Sequence, residues 1–172
     1  MKVVLAPDNK LRVVTKPVKK ITPGLLQTIK EMVKLTKTFV DPEGVGLAAT
    51  QVGLSEQYFV AKDDNGTFRA YFNPKITKYS KRTKKYFEGC LSIPNFWGEV
   101  VRSTQVTVSY LDDKGNHHTE VLKGTDAWIF QHETDHLAGK LFMDVVLEQQ
   151  GRLFKVVGKD PAGSDIFEEV SL

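Results

Sequence analysis

The strongest constraint on the fold is a pair of hairpin signals in the middle of the chain. In the first, the segments QYFVA (57–61) and TFRAYF (67–72) flank the turn DDNG, whose Asn-Gly pair supplies the positive φ angles of a tight hairpin turn. In the second, alternating apolar residues at 106–110 precede the turn DDKGN, and HHTEVL (117–122) returns the chain. Strands joined by such short turns are predicted to be antiparallel.

Helical periodicity predicts one helix on each side of this strand-rich region. Thr22 followed by Pro23 is typical of a helix start, and apolar residues at helical spacing predict an amphipathic helix over 23–40. A second helix is predicted over 125–138, with Gly139 as its C-terminal cap. Antiparallel strand pairs with helices at separate points predict an α+β fold.

The end of the chain carries weaker signals because glycine and proline interrupt it repeatedly. We expect a short helix at 144–150, a strand at LFKVV (153–157) and then a loose tail. Residues 1–147 are therefore predicted to form a single domain. Residues 148–172 are predicted to form a C-terminal extension of uncertain structure, and not a long basic helix.

Composition excludes several classes of protein. The 172 residues suit one domain, and 41% hydrophobic residues with 26% charged residues argue against disorder and collagen-like sequence. The apolar runs are too short to span a membrane, and the N-terminus resembles neither a signal peptide nor a transit peptide. We therefore expect a cytoplasmic protein. A net charge of +3 is too small to predict a specific nucleic-acid partner.

The segment HETDH indicates a metal site. His132 and His136 are four residues apart, so on a helix both imidazoles lie on one face, while Glu133 projects to its side. The alternative is a solvated helix face. Large apolar residues flank the motif, which argues against that alternative: Trp128, Ile129, Phe130 and Leu137.

Two histidines do not complete a catalytic metal site, which usually has three protein ligands. A further histidine, a carboxylate or Cys90, the single cysteine, could supply the third. His117 and His118 lie in a polar hairpin strand, where exposed side chains are expected. Cys90 lies in EGCLSIP, which suggests a constrained strand, although a small buried apolar residue is its alternative interpretation.

A third segment, GVGLAATQ (44–51), contains small residues that allow a ligand to approach the backbone closely. Gln51 at its end offers an amide donor for a developing oxyanion. On its own the segment is equally typical of a tightly packed turn.

GVGLAATQ, EGCLS and QHETDH, in this order, resemble the three signature motifs of the peptide deformylase family. The resemblance extends from LAPDNKLRVVTKPV near the N-terminus to HLAGKLFMDVV. It implies a metal-dependent hydrolase that removes the N-formyl group from the initiator formyl-methionine of nascent polypeptides and releases formate. The implied fold has small antiparallel sheets packed around a central H-E-x-x-H helix, with an N-terminal amphipathic helix.

The resemblance also implies the metal ligands and the proton carrier. The ligands fall on Cys90, His132 and His136, and the general acid/base falls on Glu133. One divalent metal ion is implied, with Fe²⁺ expected in the native enzyme, and Zn²⁺ or Ni²⁺ would fit the same ligand atoms.

The remaining implied roles concern the substrate. The side chain of Gln51 and the backbone N–H of Leu91 fall on the oxyanion donors. Val45, Gly46 and Gly89 fall where the methionyl peptide is held like an added strand.

The sequence also departs from the family pattern. Trp97 stands where the family often has a basic residue, and Trp128 is bulkier than the expected aliphatic residue, so the peptide preference beyond formyl-methionine stays open. Many bacterial members dock on the ribosome through a basic C-terminal helix. Residues 148–172 contain only three Lys/Arg against five Asp/Glu, so ribosome association by this route is not expected.

One charged group near the motifs has two candidate partners. Arg102 is predicted to pair with Asp135 or with Glu43 beside the site. The alternative is a surface ion pair of little energetic value.

Three hypotheses remain at this point. The first is a deformylase, the second another metallohydrolase such as a peptidase, and the third a metal-stabilised binding module without catalysis. The cysteine argues against the second, and the combination of Glu133 and Gln51 with three candidate ligands argues against the third.

Overall fold

The computed structural model describes residues 1–171, and within them nine strands form two antiparallel sheets. The strands are β1 Gly46–Ala48, β2 Tyr58–Lys62, β3 Phe68–Tyr79, β4 Thr83–Cys90, β5 Ile93–Ser103, β6 Gln105–Leu111, β7 His117–Lys123, β8 Leu153–Lys159 and β9 Asp165–Val170. The five-stranded sheet has the order β1-β2-β3-β6-β7, and the four-stranded sheet has the order β4-β5-β8-β9. β1 and β4 are therefore both edge strands.

Both predicted hairpins are present, and the α+β class is confirmed. Tyr58 lies opposite Phe72 in the first hairpin, and Val106 lies opposite Leu122 in the second. Three α-helices accompany the sheets within the described residues: α1 Pro23–Thr36, α2 Gly124–Leu137 and α3 Phe142–Glu148. None of them is long and apolar enough to cross a membrane.

Helix α1 begins where the sequence predicts but ends at Thr36, not at residue 40. The hydroxyl of Thr22 accepts a 3.2 Å hydrogen bond from Leu25 N–H, as an N-cap does. At the other end, the hydroxyl of Thr38 donates to the carbonyl of Leu35 at 2.7 Å and competes with continued helix formation. The apolar residues beyond Thr36 suggested a longer helix, yet Val40 is 81% exposed.

The prediction of a loose C-terminal tail is wrong. After α3, β8 pairs with β5, and β9 returns antiparallel to β8. The turn between them depends on Asp160, whose carboxylate accepts hydrogen bonds from the backbone N–H groups of Ala162 and Ser164 at 2.8 and 2.9 Å. Gly163 lies within this turn and has a φ of 87°. The proline and glycine that were expected to interrupt the structure, Pro161 and Gly163, are therefore part of a hairpin turn.

Helix α2 packs against the five-stranded sheet and contacts β5 of the other sheet. On its apolar side Phe130 meets Phe59 and Tyr71 edge to face, with ring centroids 5.0 and 5.3 Å apart. Aromatic pairs of this kind contribute about 0.5–1.5 kcal/mol beyond their burial. Helix α3 covers the four-stranded sheet, and a Cβ at Gly98 would overlap Val146. The polar side of α2 consequently faces the cleft between the edge strands β1 and β4.

Candidate metal centre and active site

Three side chains that can bind a metal converge in this cleft. Cys90 is the last residue of β4, and His132 and His136 lie one turn apart on α2. One ligand atom from each lies within 4.8 Å of the other two, and Cys90 Sγ is 3.2 Å from His136 Nε2. His117 and His118 lie in β7 outside this cluster, and both are exposed.

The orientation of His132 depends on Glu88, a residue for which the sequence analysis proposed no role. Nδ1 of His132 donates to Glu88 Oε2 at 3.0 Å, which leaves Nε2 for the cluster. Glu88 is completely buried. It accepts further hydrogen bonds from Trp128 Nε1 at 2.9 Å and from Arg102 Nε and Nη2 at 2.7 and 2.9 Å. Burial alone would raise the pKa of Glu88, but the hydrogen bonds from Arg102 and His132 outweigh it and lower the pKa to about 2.

The predicted pair of Arg102 and Asp135 is present, with Arg102 Nη1 2.6 Å from Asp135 Oδ2. Glu43, the alternative partner, pairs with Lys62. Arg102 is only 7% exposed, so the interaction is not a surface ion pair. Its guanidinium instead links two carboxylates that lie beside the histidine-bearing face of α2.

The cluster suits a divalent cation. A thiolate with two imidazoles is a ligand set for Zn²⁺ or Fe²⁺. Burial lowers the pKa of His136 well below its usual value, which keeps this imidazole neutral, as metal binding requires. Burial alone would also lower the pKa of His132, but hydrogen bonds with Cys90 and Glu88 outweigh the effect of burial and raise the pKa.

Glu133 lies beside the cluster with one oxygen unpaired. Its side chain is buried, and its Oε2 has no hydrogen-bond partner among the described residues. Desolvation raises the pKa of Glu133 to about 7, and the neighbouring His132 only partly opposes the shift. A Cβ at Gly46 would overlap the Glu133 carboxylate, so the glycine allows β1 to lie directly against it. Such a carboxyl group can both accept and return a proton near neutral pH.

Gln51 is held in a defined orientation at the other side of Cys90. It lies in a 3-10 turn, Ala49–Val52, and its Oε1 accepts a 2.8 Å hydrogen bond from Ala48 N–H. Its Nε2 donates to Ser92 Oγ at 3.2 Å and to Cys90 Sγ at 3.3 Å. Both amide hydrogens are thus engaged, and one contact must be exchanged before Gln51 can donate to a substrate oxygen. The sequence analysis assigned no role to Ser92, although it is the last residue of the EGCLS motif.

A cavity of about 210 Å³ opens onto these groups. Eight of the nine residues selected from the sequence line it: Val45, Gly46, Gln51, Gly89, Cys90, Leu91, His132 and Glu133. The ninth, His136, is buried behind Cys90. The apolar wall of the cavity is formed by Trp97, Trp128 and Ile129.

Both tryptophans that depart from the family pattern have defined packing. Trp128 stacks on Tyr86 at a centroid distance of 5.1 Å and an interplanar angle of 9°. Trp97 covers Gly89, where a Cβ would come within 3.0 Å of the indole ring. The bulk of both side chains is therefore accommodated beside the cavity.

Comparison with known proteins agrees with this geometry. The family model for polypeptide deformylase matches residues 1–152. A peptide deformylase from Rhodopseudomonas palustris is 40% identical over 148 residues, which cover 83% of this chain and 81% of the relative. One from Thermotoga petrophila is 43% identical over 137 residues, which cover 80% and 81%.

Solved structures give the same result. The crystal structure of peptide deformylase from Thermotoga maritima superposes with a TM-score of 0.78 at 38% identity and covers 84% of this chain and 95% of that one. The Synechococcus elongatus enzyme, solved in complex with actinonin, gives a TM-score of 0.79 at 36% identity and covers 84% and 78%. The chain therefore belongs to the polypeptide deformylase family, hydrolases that remove the formyl group from nascent polypeptides.

Proposed function

We propose that Cys90, His132 and His136 hold one divalent metal ion at which the formyl group of the initiator methionine is hydrolysed. The observation that carries this proposal is the convergence of a thiol, two imidazoles and a buried carboxyl group at one cavity. A divalent cation bound there would supply Lewis acidity to the formyl group and would lower the pKa of a water molecule, so that the water can lose a proton and attack. Fe²⁺ is proposed as the native ion because the family resemblance implies it, although Zn²⁺ and Ni²⁺ match the same donors.

Glu133 is proposed as the proton carrier of the reaction. Its carboxylate accepts a proton from the attacking water and then delivers it to the amine nitrogen as the carbon–nitrogen bond breaks. Formate and the free amino terminus are the products. The unpaired Oε2 and the raised pKa support this role because each suits a group that exchanges a proton at neutral pH.

Gln51 and Leu91 are proposed to stabilise the negative charge that develops on the formyl oxygen. Gln51 supplies an amide hydrogen from its side chain, and Leu91 supplies its backbone N–H from the turn that follows β4. The contact between Ala48 N–H and Gln51 Oε1 fixes the position of the amide in advance, and Gln51 has only to exchange one Nε2 contact, to Ser92 or to Cys90, for the formyl oxygen.

The peptide is proposed to lie between the two sheet edges. β1 and β4 are the edge strands that border the cleft, so an extended peptide can pair with their free backbone groups as an added strand. Val45, Gly46 and Gly89 provide this backbone, and the apolar wall at Trp128 and Ile129 receives the methionine side chain.

For the chain as a whole, we propose a catalytic domain over 1–147 with an extension over 148–172. The substrate partners are formyl-methionyl nascent peptides, encountered in the cytoplasm where they are made. Ribosome docking through the C-terminus is not part of the proposal, because the segment folds as the β8–β9 hairpin and carries more acidic than basic residues.

The activity is tested by an anaerobic formate-release assay on formyl-methionyl peptides with Fe²⁺, Ni²⁺ and Zn²⁺ forms of the enzyme. Glu133→Ala is the control, expected to retain metal and to lose nearly all turnover. Normal turnover in this variant would refute the proposed role of Glu133. Cleavage of an internal peptide bond without formate release would identify the chain as a peptidase, and tight metal binding without any turnover would identify a binding module.

The ligand set is tested separately from activity. Co²⁺ binding to the wild-type chain is expected to give thiolate-to-cobalt charge-transfer absorption, and Cys90→Ser is expected to abolish that absorption. Unchanged absorption in Cys90→Ser would remove Cys90 from the ligand set.

A further inference from the structure

The basic residues of the chain are concentrated in one short segment. Residues 75–85 contain six of the 24 Lys/Arg and none of the 21 Asp/Glu. The rest of the chain therefore has more acidic than basic residues, and the small net charge of +3 conceals a strongly basic region. The segment runs along β3, through a bend at 80–82 and into β4, so it passes from one sheet to the other.

Three lysines share the outer face of the five-stranded sheet. Lys75 and Lys78 on β3, and Lys123 on β7, lie opposite the polar residues of β6. Val106 and Val108 alternate with those polar residues and are buried in the core shared with α2. Because successive residues of a strand point to opposite faces, the three lysines point away from α2, and all three are exposed.

Three further cations extend this face around the bend. Lys81 and Arg82 are exposed in the bend itself, and Lys84 is exposed at the start of β4. The bend lies close to Lys123, because Ser80 N–H donates at 2.9 Å to the carbonyl of Gln105, the residue opposite Lys123 in the sheet. The six residues are here called the basic corner: Lys75, Lys78, Lys81, Arg82, Lys84 and Lys123.

The protein does not neutralise these charges. None of the six residues forms an ion pair with any residue in the described range 1–171. The adjacent Lys85, by contrast, pairs with Glu99 at 3.0 Å. Asp135, whose charge reaches the end of β3, is bound to Arg102. Like charges held together repel one another, and a polyanionic partner would remove that repulsion.

The shape of the basic corner favours a flexible polyanion over a flat anionic membrane. Lys84 Nζ lies 5.4 Å from the ring centroid of Tyr86, and Tyr86 stacks on Trp128 of α2, so Lys84 is on the α2 side. Lys78 is on the side away from α2. A planar membrane surface can contact only one of these sides, whereas a single-stranded nucleic acid can follow the bend and contact both.

We propose that the basic corner binds the phosphate backbone of single-stranded RNA without sequence preference. Tyr79 lies between Lys78 and Lys81 and is 56% exposed, so its ring is available to stack on a base. The substrates of the family are nascent polypeptides, which are made on RNA, so RNA is the polyanion present where the enzyme acts. None of the six residues lines the main cavity, so the inference does not depend on the catalytic roles proposed above.

The test is fluorescence anisotropy of a labelled oligouridylate titrated with the metal-loaded full chain over a range of KCl concentrations. Each contact with a phosphate of a single strand contributes about −0.7 to the slope of log K against log salt concentration, so about five contacts predict a slope of about −3.5. Replacing Lys78, Lys81 and Arg82 together by alanine is expected to weaken binding about tenfold or more at low salt. The same change should make the slope shallower by about 2.

The matched control replaces Lys19, Lys20 and Lys30 together by alanine. These lysines are exposed and lie outside the basic corner, so the net charge changes equally, and RNA binding is expected to change little. Tyr79→Ala is expected to weaken binding about tenfold with an unchanged salt slope, because stacking does not release counter-ions. Circular dichroism and urea unfolding check that every variant keeps the wild-type fold.

A wild-type chain that does not bind RNA at low salt, or binds it with a salt slope near zero, would overturn the proposal without any variant. Equal losses in the two triple variants would also overturn it, since only total charge would then matter. Equal binding of an oligodeoxythymidylate of the same length would support a surface that contacts phosphates, whereas DNA bound tenfold more tightly would overturn the assignment to RNA. Sedimentation with phosphatidylserine vesicles in the absence of RNA binding would identify a membrane-binding surface instead.

Discussion

Glu88 receives the Nδ1–H of His132 at 3.0 Å, so a fully buried carboxylate outside the metal cluster orients one of the proposed ligands. The same carboxylate binds the guanidinium of Arg102 at two points. One side chain therefore both orients His132 and supplies the main counter-charge of Arg102.

Replacing this carboxylate is expected to weaken both stability and metal binding. In Glu88→Gln, buried Arg102 loses its main counter-ion, and breaking a buried pair typically costs about 3–5 kcal/mol. Loss of the hydrogen bond to a ligating histidine typically reduces metal affinity about 10–100-fold. Denaturant unfolding and chelator competition measure the two effects. Asp135→Asn, which removes the charge of the more exposed partner of Arg102, serves as the control. It is expected to lower the free energy of unfolding and the metal affinity less than Glu88→Gln does. Equal effects of the two variants would contradict this account.

Removal of the Gln51 side chain is expected to reduce kcat about 100- to 1000-fold, the usual effect of losing one oxyanion donor. Ser92→Ala removes only a hydrogen-bond partner of Gln51 Nε2 and is expected to reduce kcat far less. Steady-state kinetics on formyl-methionyl peptides distinguish the two variants. A Gln51→Ala enzyme with a raised KM but normal kcat would show that Gln51 binds substrate and does not stabilise the transition state.

Adding a methyl group at Gly46 is expected to impair catalysis, because the new Cβ would overlap the Glu133 carboxylate. Gly46→Ala should lower kcat/KM at least tenfold while circular dichroism and metal content stay unchanged. Gly24→Ala is the matched control, since a Cβ there meets only Thr22 Oγ1 at 3.8 Å. If both alanine variants retained wild-type kinetics, the close approach of β1 to Glu133 would be unimportant for the reaction.

The protein is expected to lose stability in alkali, above pH 10. Burial raises the pKa of Tyr58 to about 12, and burial together with the hydrogen bond to Glu120 raises the pKa of Tyr110 to about 12. A folded-state pKa above the unfolded value near 10 gives stability that is complete below pH 10 and declines as the pH rises towards 12.

Urea unfolding between pH 8 and 12 measures this decline. Tyr58→Phe removes one of the titrating groups, so the variant should lose less stability than the wild type over the same interval. A parallel decline in both proteins would exclude Tyr58 as a cause of alkaline destabilisation.

Local signals predicted most of the elements correctly. The Asn-Gly turn and the alternation around it located β2 and β3 because hairpin turns depend on neighbouring residues alone. The same reasoning failed after Lys159, where Pro161 and Gly163 were interpreted as interruptions although they lie in the turn between β8 and β9. Helix α1 ended before residue 40 because the hydrogen bond from the Thr38 hydroxyl to the Leu35 carbonyl competed with the helix. The spacing of apolar residues carries no information about such a bond.

The sequence alone was sufficient to select the chemistry of the site, because His132 and His136 share a helical face whatever the rest of the fold does. It also supplied the family resemblance through which Cys90 and Gln51 were chosen. Only the tertiary structure decided that these residues meet at one cavity and that Glu88 orients His132. It also decided that Gly46 lies against Glu133 and that the C-terminal residues form the β8–β9 hairpin. These contacts join residues distant in the chain, and their geometry depends on how two sheets pack around α2, which no local pattern encodes.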